Sequence, residues 1–198
     1  MHIQTLCVGS VGENTYILHN GTEAVLVDPG AERERIQTAL GGLPCKHILL
    51  THAHFDHIGA VAHFQRLGAK VYLHTLDARL LQNGGHLAAL FGQPLDPFVP
   101  DVLVNEGDVL QLCGLSVRVL ATPGHTDGSV CYAVDDVLFS GDTLFRLSVG
   151  RTDFPTGNHA KLQESLQRLF ALPTDCKVLA GHGEPTTLSF EKKNNPYA

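Results

Sequence analysis

The chain has 198 residues, 43% of them hydrophobic and 17% charged. That is long enough to bury about 70% of its unfolded surface, and too apolar for a disordered chain. Fourteen Lys and Arg against 20 Asp and Glu give a net charge of -6, so a nucleic-acid partner is not expected. No apolar run approaches the roughly 20 residues of a membrane span. The start, Met1-His2-Ile3-Gln4-Thr5, lacks the basic-then-apolar order of a signal peptide. The five cysteines are widely spaced, with no CxxC. Together these features point to a cytoplasmic protein whose cysteines are small core residues.

Apolar runs predict strands over Ile3–Val8, Thr15–Leu18, Ala24–Val27, His47–Leu50 and Lys70–Leu73, then over Leu115–Leu120, Val130–Val134, Val137–Phe139 and Lys177–Ala180. Asn20-Gly21 and Asp135-Asp136 predict hairpins. Helices are expected over Ala31–Leu40, Ile58–Leu67 and Leu76–Gln82. Another is expected from an Asn158 cap to Phe170, with Leu162, Leu166, Leu169 and Phe170 on one face. Residues 75–100, rich in Gly, Pro, Leu and Phe, read as one helix followed by an irregular loop, a candidate lid. No linker or repeat divides the chain, so residues 1–198 are read as one domain. Hairpins mixed with helices suggest two mixed sheets flanked by helices.

The chemistry concentrates at Thr51-His52-Ala53-His54-Phe55-Asp56-His57, directly after an expected strand. In an extended segment residues two apart face the same way, so His52 and His54 can hold one metal together. Asp56 and His57 sit where a helix should begin and approach from another direction. Three more ligand-type residues follow expected strands: His125, Asp142 and His182. Strand ends gather at one edge of a sheet, so these loops can converge. Five histidines and two aspartates suffice for two metal ions, and this nitrogen and oxygen set suits Zn, Fe or Mn. The other seven histidines lack such a context. There is no GxSxG elbow, P-loop or GxGxxG.

These residues, together with Val27-Asp28-Pro29-Gly30, resemble the metallo-β-lactamase superfamily in order and over nearly the whole length. The resemblance implies an αββα sandwich, two mixed β-sheets flanked by helices. It implies His52, His54 and His125 on a first metal, Asp56, His57 and His182 on a second, Asp142 bridging them, and Asp28 supporting the site from behind. Ser140-Gly141-Asp142-Thr143-Leu144-Phe145 is similar to the glyoxalase II branch. Gly150-Arg151-Thr152-Asp153-Phe154-Pro155 and Asn195-Pro196-Tyr197 are similar to its short bacterial relatives.

The expected activity is thus hydrolysis of a small-molecule thioester, such as a glutathione conjugate, by a hydroxide bridging two divalent ions. Zinc is the expected metal, with iron or manganese as alternatives, and Asp56 orients the hydroxide. A mono-iron persulfide dioxygenase, using residues matching His52, His125 and Asp142, is the alternative of another reaction class. A lactonase or esterase is the alternative among hydrolases. Glyoxalase II proper holds glutathione with basic residues of a C-terminal helical domain. Here Arg146 and Arg151, within nine residues of Asp142, are the candidates to read a substrate carboxylate. The competing expectation for Arg151 is an ion pair with Asp153. Nothing in the sequence fixes the oligomeric state.

Overall fold

A computed structural model describes residues 1–198. The first sheet takes β1 (His2–Val8), β2 (Glu13–His19), β3 (Ala24–Val27), β4 (Cys45–Leu49), β5 (Lys70–His74) and β6 (Val102–Val104) in chain order. The first three strands run antiparallel and β3 to β6 run parallel. Helices α1 (Arg33–Ala39), α2 (Phe55–Ile58), α3 (Val61–Arg66) and α4 (Thr75–Gln82) lie in its crossovers. The second sheet begins with a meander of β7 (Val109–Leu112), β8 (Leu115–Ala121), β9 (Val130–Val134) and β10 (Val137–Gly141). A ribbon of β11 (Leu144–Phe145) and β12 (Ser148–Val149) and helix α5 (His159–Phe170) follow. Then β13 (Lys177–Ala180) pairs parallel with β10, β14 (Thr186–Thr187) closes the edge, and α6 (Leu188–Asn194) ends the fold.

Side-chain alternation along the strands builds four layers. Tyr16, Leu18, Val25, Val27 and Leu49 face Val117, Val119, Tyr132, Phe139 and Leu179 between the sheets. Ile17, Leu26, Ile48, Leu50 and Val71 point the other way, onto Ile36, Ile58, Val61 and Phe64 of the helices. On the far side, Leu120, Leu138 and Val178 pack on Leu162, Leu166, Leu169 and Phe170 of α5. This is the αββα sandwich expected. The central strands, such as β3, are covered on both faces and read as continuous apolar runs. Leu166 is fully buried on the inner face of α5. Leu166→Ala is expected to cost about 2–5 kcal/mol, read as a lower denaturation midpoint at constant m-value. A loss under about 1 kcal/mol would show that this stripe does not carry the layer.

The helix expected over Ile58–Leu67 is two helices. α2 starts earlier, at Phe55, and the path breaks at Gly59-Ala60. The Ala60 N–H, which a continuous helix would bond to Asp56, donates instead to Pro29 O at 2.9 Å. A Cβ at Gly59 would also fall on the Gly30 carbonyl. The turn after β3 therefore sets the break. The strands β6, β7, β11, β12 and β14 and the helix α6 were not expected, and the strand at Val137 runs on to Gly141.

Candidate metal centre

β3, β4 and β5 end at the same edge of the first sheet, and β8, β10 and β13 end together in the second. The segments that follow these strands carry Asp28, residues 52–57, Asp77 of α4, His125, Asp142 and His182. Asn14, near the start of β2, joins the two edges. Its N–H donates to Gly181 O at 2.8 Å, and its side-chain amide donates to Ala180 O at 3.2 Å and Gly183 O at 2.9 Å. Two tyrosines cross the layer between the sheets. Tyr16 donates to Ala180 O at 2.6 Å and Tyr132 to Leu50 O at 2.9 Å. Each therefore holds a carbonyl one or two residues before a histidine loop.

All seven residues converge. One donor atom each from His52, His54 and His125 lie within 4.8 Å of one another, and so do those of Asp56, His57 and His182. Asp142 stands between the groups. Its Oδ2 is 3.5 Å from His125 Nε2, and its Oδ1 is 3.4 Å from His57 Nε2 and 3.7 Å from His182 Nε2. Asp56 Oδ2 is 3.3 Å from His182 Nε2. Asp28, His52 and His57 also cluster, but Asp28 is already engaged as a support. It accepts from Thr51 N at 2.7 Å, Thr51 Oγ1 at 2.6 Å and His57 Nδ1 at 3.0 Å.

The surroundings orient the rings. His57 Nδ1 donates to Asp28. Thr51, having donated its proton to Asp28, accepts from His52 Nδ1 at 3.1 Å. His125 Nδ1 donates to Arg151 O at 2.7 Å. Each bond turns Nε2 inward. The buried Nε2 atoms of His52 and His57 and Oδ1 of Asp142 have no hydrogen-bond partner, and His54 turns its Nδ1 to His125 Nε2 at 2.8 Å. An unsatisfied buried polar atom costs about 1–3 kcal/mol. Three such atoms beside His54 Nδ1, facing carboxylates and imidazoles, are the donor set of a bound cation.

Electrostatics agree with that reading. Burial, reinforced by His57 and His125, pushes the His52 imidazole well below its ordinary range, and burial and His125 bring His54 down to about 3. These rings are neutral donors. Burial alone would also lower His57, but Asp142 and Asp56 override it and raise it. Burial opposes charge on Asp142 and Asp56 too, yet His57 outweighs it and both carboxyls are lowered.

Three supports escaped the sequence reading. Thr51 is one. Glu13, fully buried, lies with Oε2 3.0 Å from Thr15 Oγ1, and burial raises its carboxyl well above the usual range. Asp77 in α4 accepts from Ala53 N at 2.8 Å, Thr126 Oγ1 at 3.0 Å and Gly128 N at 2.9 Å. It thus fastens the loop between His52 and His54 to the loop after His125, and burial pushes its carboxyl up to about 6.

The two arginines sit differently from one another. Arg151 lines the metal-facing cavity, forks onto Asp153 with two bonds of 2.7 Å, and lies 3.8 Å from the Phe154 ring centre. The competing expectation, an ion pair with Asp153, is thus what the structure holds. Arg146 pairs with Glu184 and faces Phe190, away from that cavity. From the irregular segment after α4, Leu87 and Phe91 reach the cavity wall.

Two clusters of imidazoles and carboxylates at the shared edge of an αββα sandwich define a metal-binding enzyme. The chain belongs to the metallo-β-lactamase superfamily, whose family model matches residues 8–182. It is 36% identical over its whole length to a hydroxyacylglutathione hydrolase, GloC, of Haemophilus influenzae, covering 98% of that protein. Among solved structures it is similar to the B3 metallo-β-lactamase BLEG-1 (TM-score 0.91, 38% identity, 99% of each chain). It is also similar to TTHA1623 in a di-iron-bound form, with TM-score 0.88 and 40% identity over 98% of this chain and 100% of that one. No helix is long and apolar enough to cross a membrane.

Proposed function

We propose that residues 1–198 act as one domain, a dinuclear metallohydrolase cleaving a small-molecule thioester of the hydroxyacylglutathione type. The observation that carries this reading is the pair of donor groups flanking Asp142, with unpartnered buried atoms facing the space between them. His52, His54 and His125 would hold one ion, Asp56, His57 and His182 the other, and Asp142 both. Zinc is the first candidate, and the di-iron form of a similar protein keeps iron beside it. Bound metal supplies hydroxide at neutral pH, by lowering the pKa of coordinated water from about 15.7 to about 7, and polarises a carbonyl.

The chain's own groups do the rest. The Asp56 carboxylate accepts the hydrogen bond of the attacking water and orients it. The apolar wall of the cavity excludes bulk water. No cysteine, serine, threonine or lysine lines the metal-facing cavity, so no protein nucleophile competes. The GloC relative supports the thioester as substrate. Five free cysteines suit a reducing, cytoplasmic setting.

The test is to purify the protein with its native metal, count ions per chain and assay S-lactoylglutathione. Two ions with hydrolysis support the reading. One iron with oxygen uptake on glutathione persulfide would replace it with the dioxygenase. Lactone or β-lactam cleavage without thioester cleavage would move it within the superfamily. Asp28→Asn would place an amide against His57 Nδ1 or Thr51. It is expected to weaken metal binding about 10- to 100-fold, measured by competition with a chromophoric chelator. Unchanged affinity would show that Asp28 does not set the His57 ring.

A further inference from the structure

Five apolar side chains, Val11, Phe55, Leu87, Phe91 and Phe154, line the metal-facing cavity of about 230 Å³. Three of them form a continuous aromatic surface. Phe55 stacks on Phe91 with ring centres 4.9 Å apart, and Phe91 meets Phe154 edge-on at 6.2 Å. Phe154 in turn meets His54 edge-on at 5.9 Å. The surface therefore runs from the mouth to the first histidine group. Phe91 is 45% exposed and Val11 48%, so this end of the surface is open to an incoming apolar group.

Charge complementarity at this wall is absent for an anion. The one cation lining it, Arg151, is already engaged by Asp153 and lies over Phe154. A second cavity, of about 360 Å³, shares Val11, Phe55 and Asp56 with the first but is otherwise bordered by such groups as Glu32, Arg33 and Gln93. The two spaces thus differ in size and polarity, and share Val11, Phe55 and Asp56 as the partition between them.

We infer that the smaller, aromatic space binds the acyl side of the substrate and selects for an apolar acyl substituent, a ring or branched alkyl group. The longer, polar thiol runs into the larger space. This rests on the thioesterase reading above and names its substrate class. One methylene in an apolar pocket discriminates about 10- to 200-fold. Replacing a methyl by a phenyl on the α-carbon of the acyl group should therefore raise kcat/KM at least about 10-fold.

The test compares S-lactoylglutathione with S-mandeloylglutathione, which differ only in that substituent, on the metal-loaded native protein and on Phe91→Ala. Calorimetry with lactate and mandelate reads binding without turnover. The expected result is a mandeloyl preference of at least about 10-fold in the native protein, falling toward unity in Phe91→Ala, with mandelate binding at least about 10-fold tighter than lactate. Equal or better use of the lactoyl ester, or a preference untouched by Phe91→Ala, would overturn the inference. If neither ester is cleaved, the thioesterase reading falls. The acid pair then decides whether the apolar subsite stands: equal binding of the two acids overturns it, and tighter mandelate binding upholds it.

Discussion

Chelation is expected to abolish hydrolysis and to lower the melting temperature by about 8–16 °C, both reversed by adding back Zn, Fe or Mn. The donors come from four loops, at 52–57, 125, 142 and 182, and only the folded chain brings them together. An ion that binds the folded state alone stabilises it by about 4 kcal/mol at a thousandfold excess over its Kd. For a chain of this size each kcal/mol moves the midpoint about 2–4 °C. His54 Nδ1 faces His125 Nε2 at 2.8 Å, and the buried Nε2 atoms of His52 and His57 have no protein partner. Differential scanning calorimetry and a thioester assay on the same samples check this. Activity that survives complete metal removal would end the hydrolytic mechanism, and an unchanged melting curve would show that the donor groups bind nothing tightly.

Asp56→Asn is expected to lower kcat about 100-fold or more with both ions retained, the scale of a lost acid–base group. The carboxylate is half-buried, and His57 and the hydrogen bond with His182 hold it ionised against the cost of burial. An amide keeps the shape and one oxygen donor but cannot take a proton. Metal analysis of the variant separates the two roles: full metal content with unchanged kcat would remove Asp56 from orienting water, whereas loss of one ion would make it chiefly a ligand.

The sandwich was legible because strands covered on both faces must be apolar throughout, as in Ala24–Val27, where every residue is buried. The hairpins followed from their turn residues. The histidine loop was legible because donors two apart on an extended chain share a face. What failed was the short strands at the sheet edges and structure held by polar groups. Helix α6 has no apolar stripe. It is anchored by Leu188 and by the fully buried Glu191, which accepts from Leu147 N, Thr186 Oγ1 and Asn195 Nδ2. Asp77 reads in the sequence as an ordinary first-turn acid, and its partners lie 24 to 51 residues away. The break at Gly59-Ala60 depends on the distant Pro29 carbonyl, which no local pattern reveals. Arg151 was legible in its ion-pair reading because its partner is two residues on.

The donors stand on segments fixed by strand ends and by tyrosines reaching through the interior, while much of the apolar wall comes from irregular chain at 87, 91 and 154. The two parts can therefore diverge at different rates. Substitutions at the wall alter what is admitted without disturbing the ions, whereas substitutions beneath the donors disturb everything at once. Lineages sharing this scaffold can change diet quickly while keeping the same inorganic chemistry.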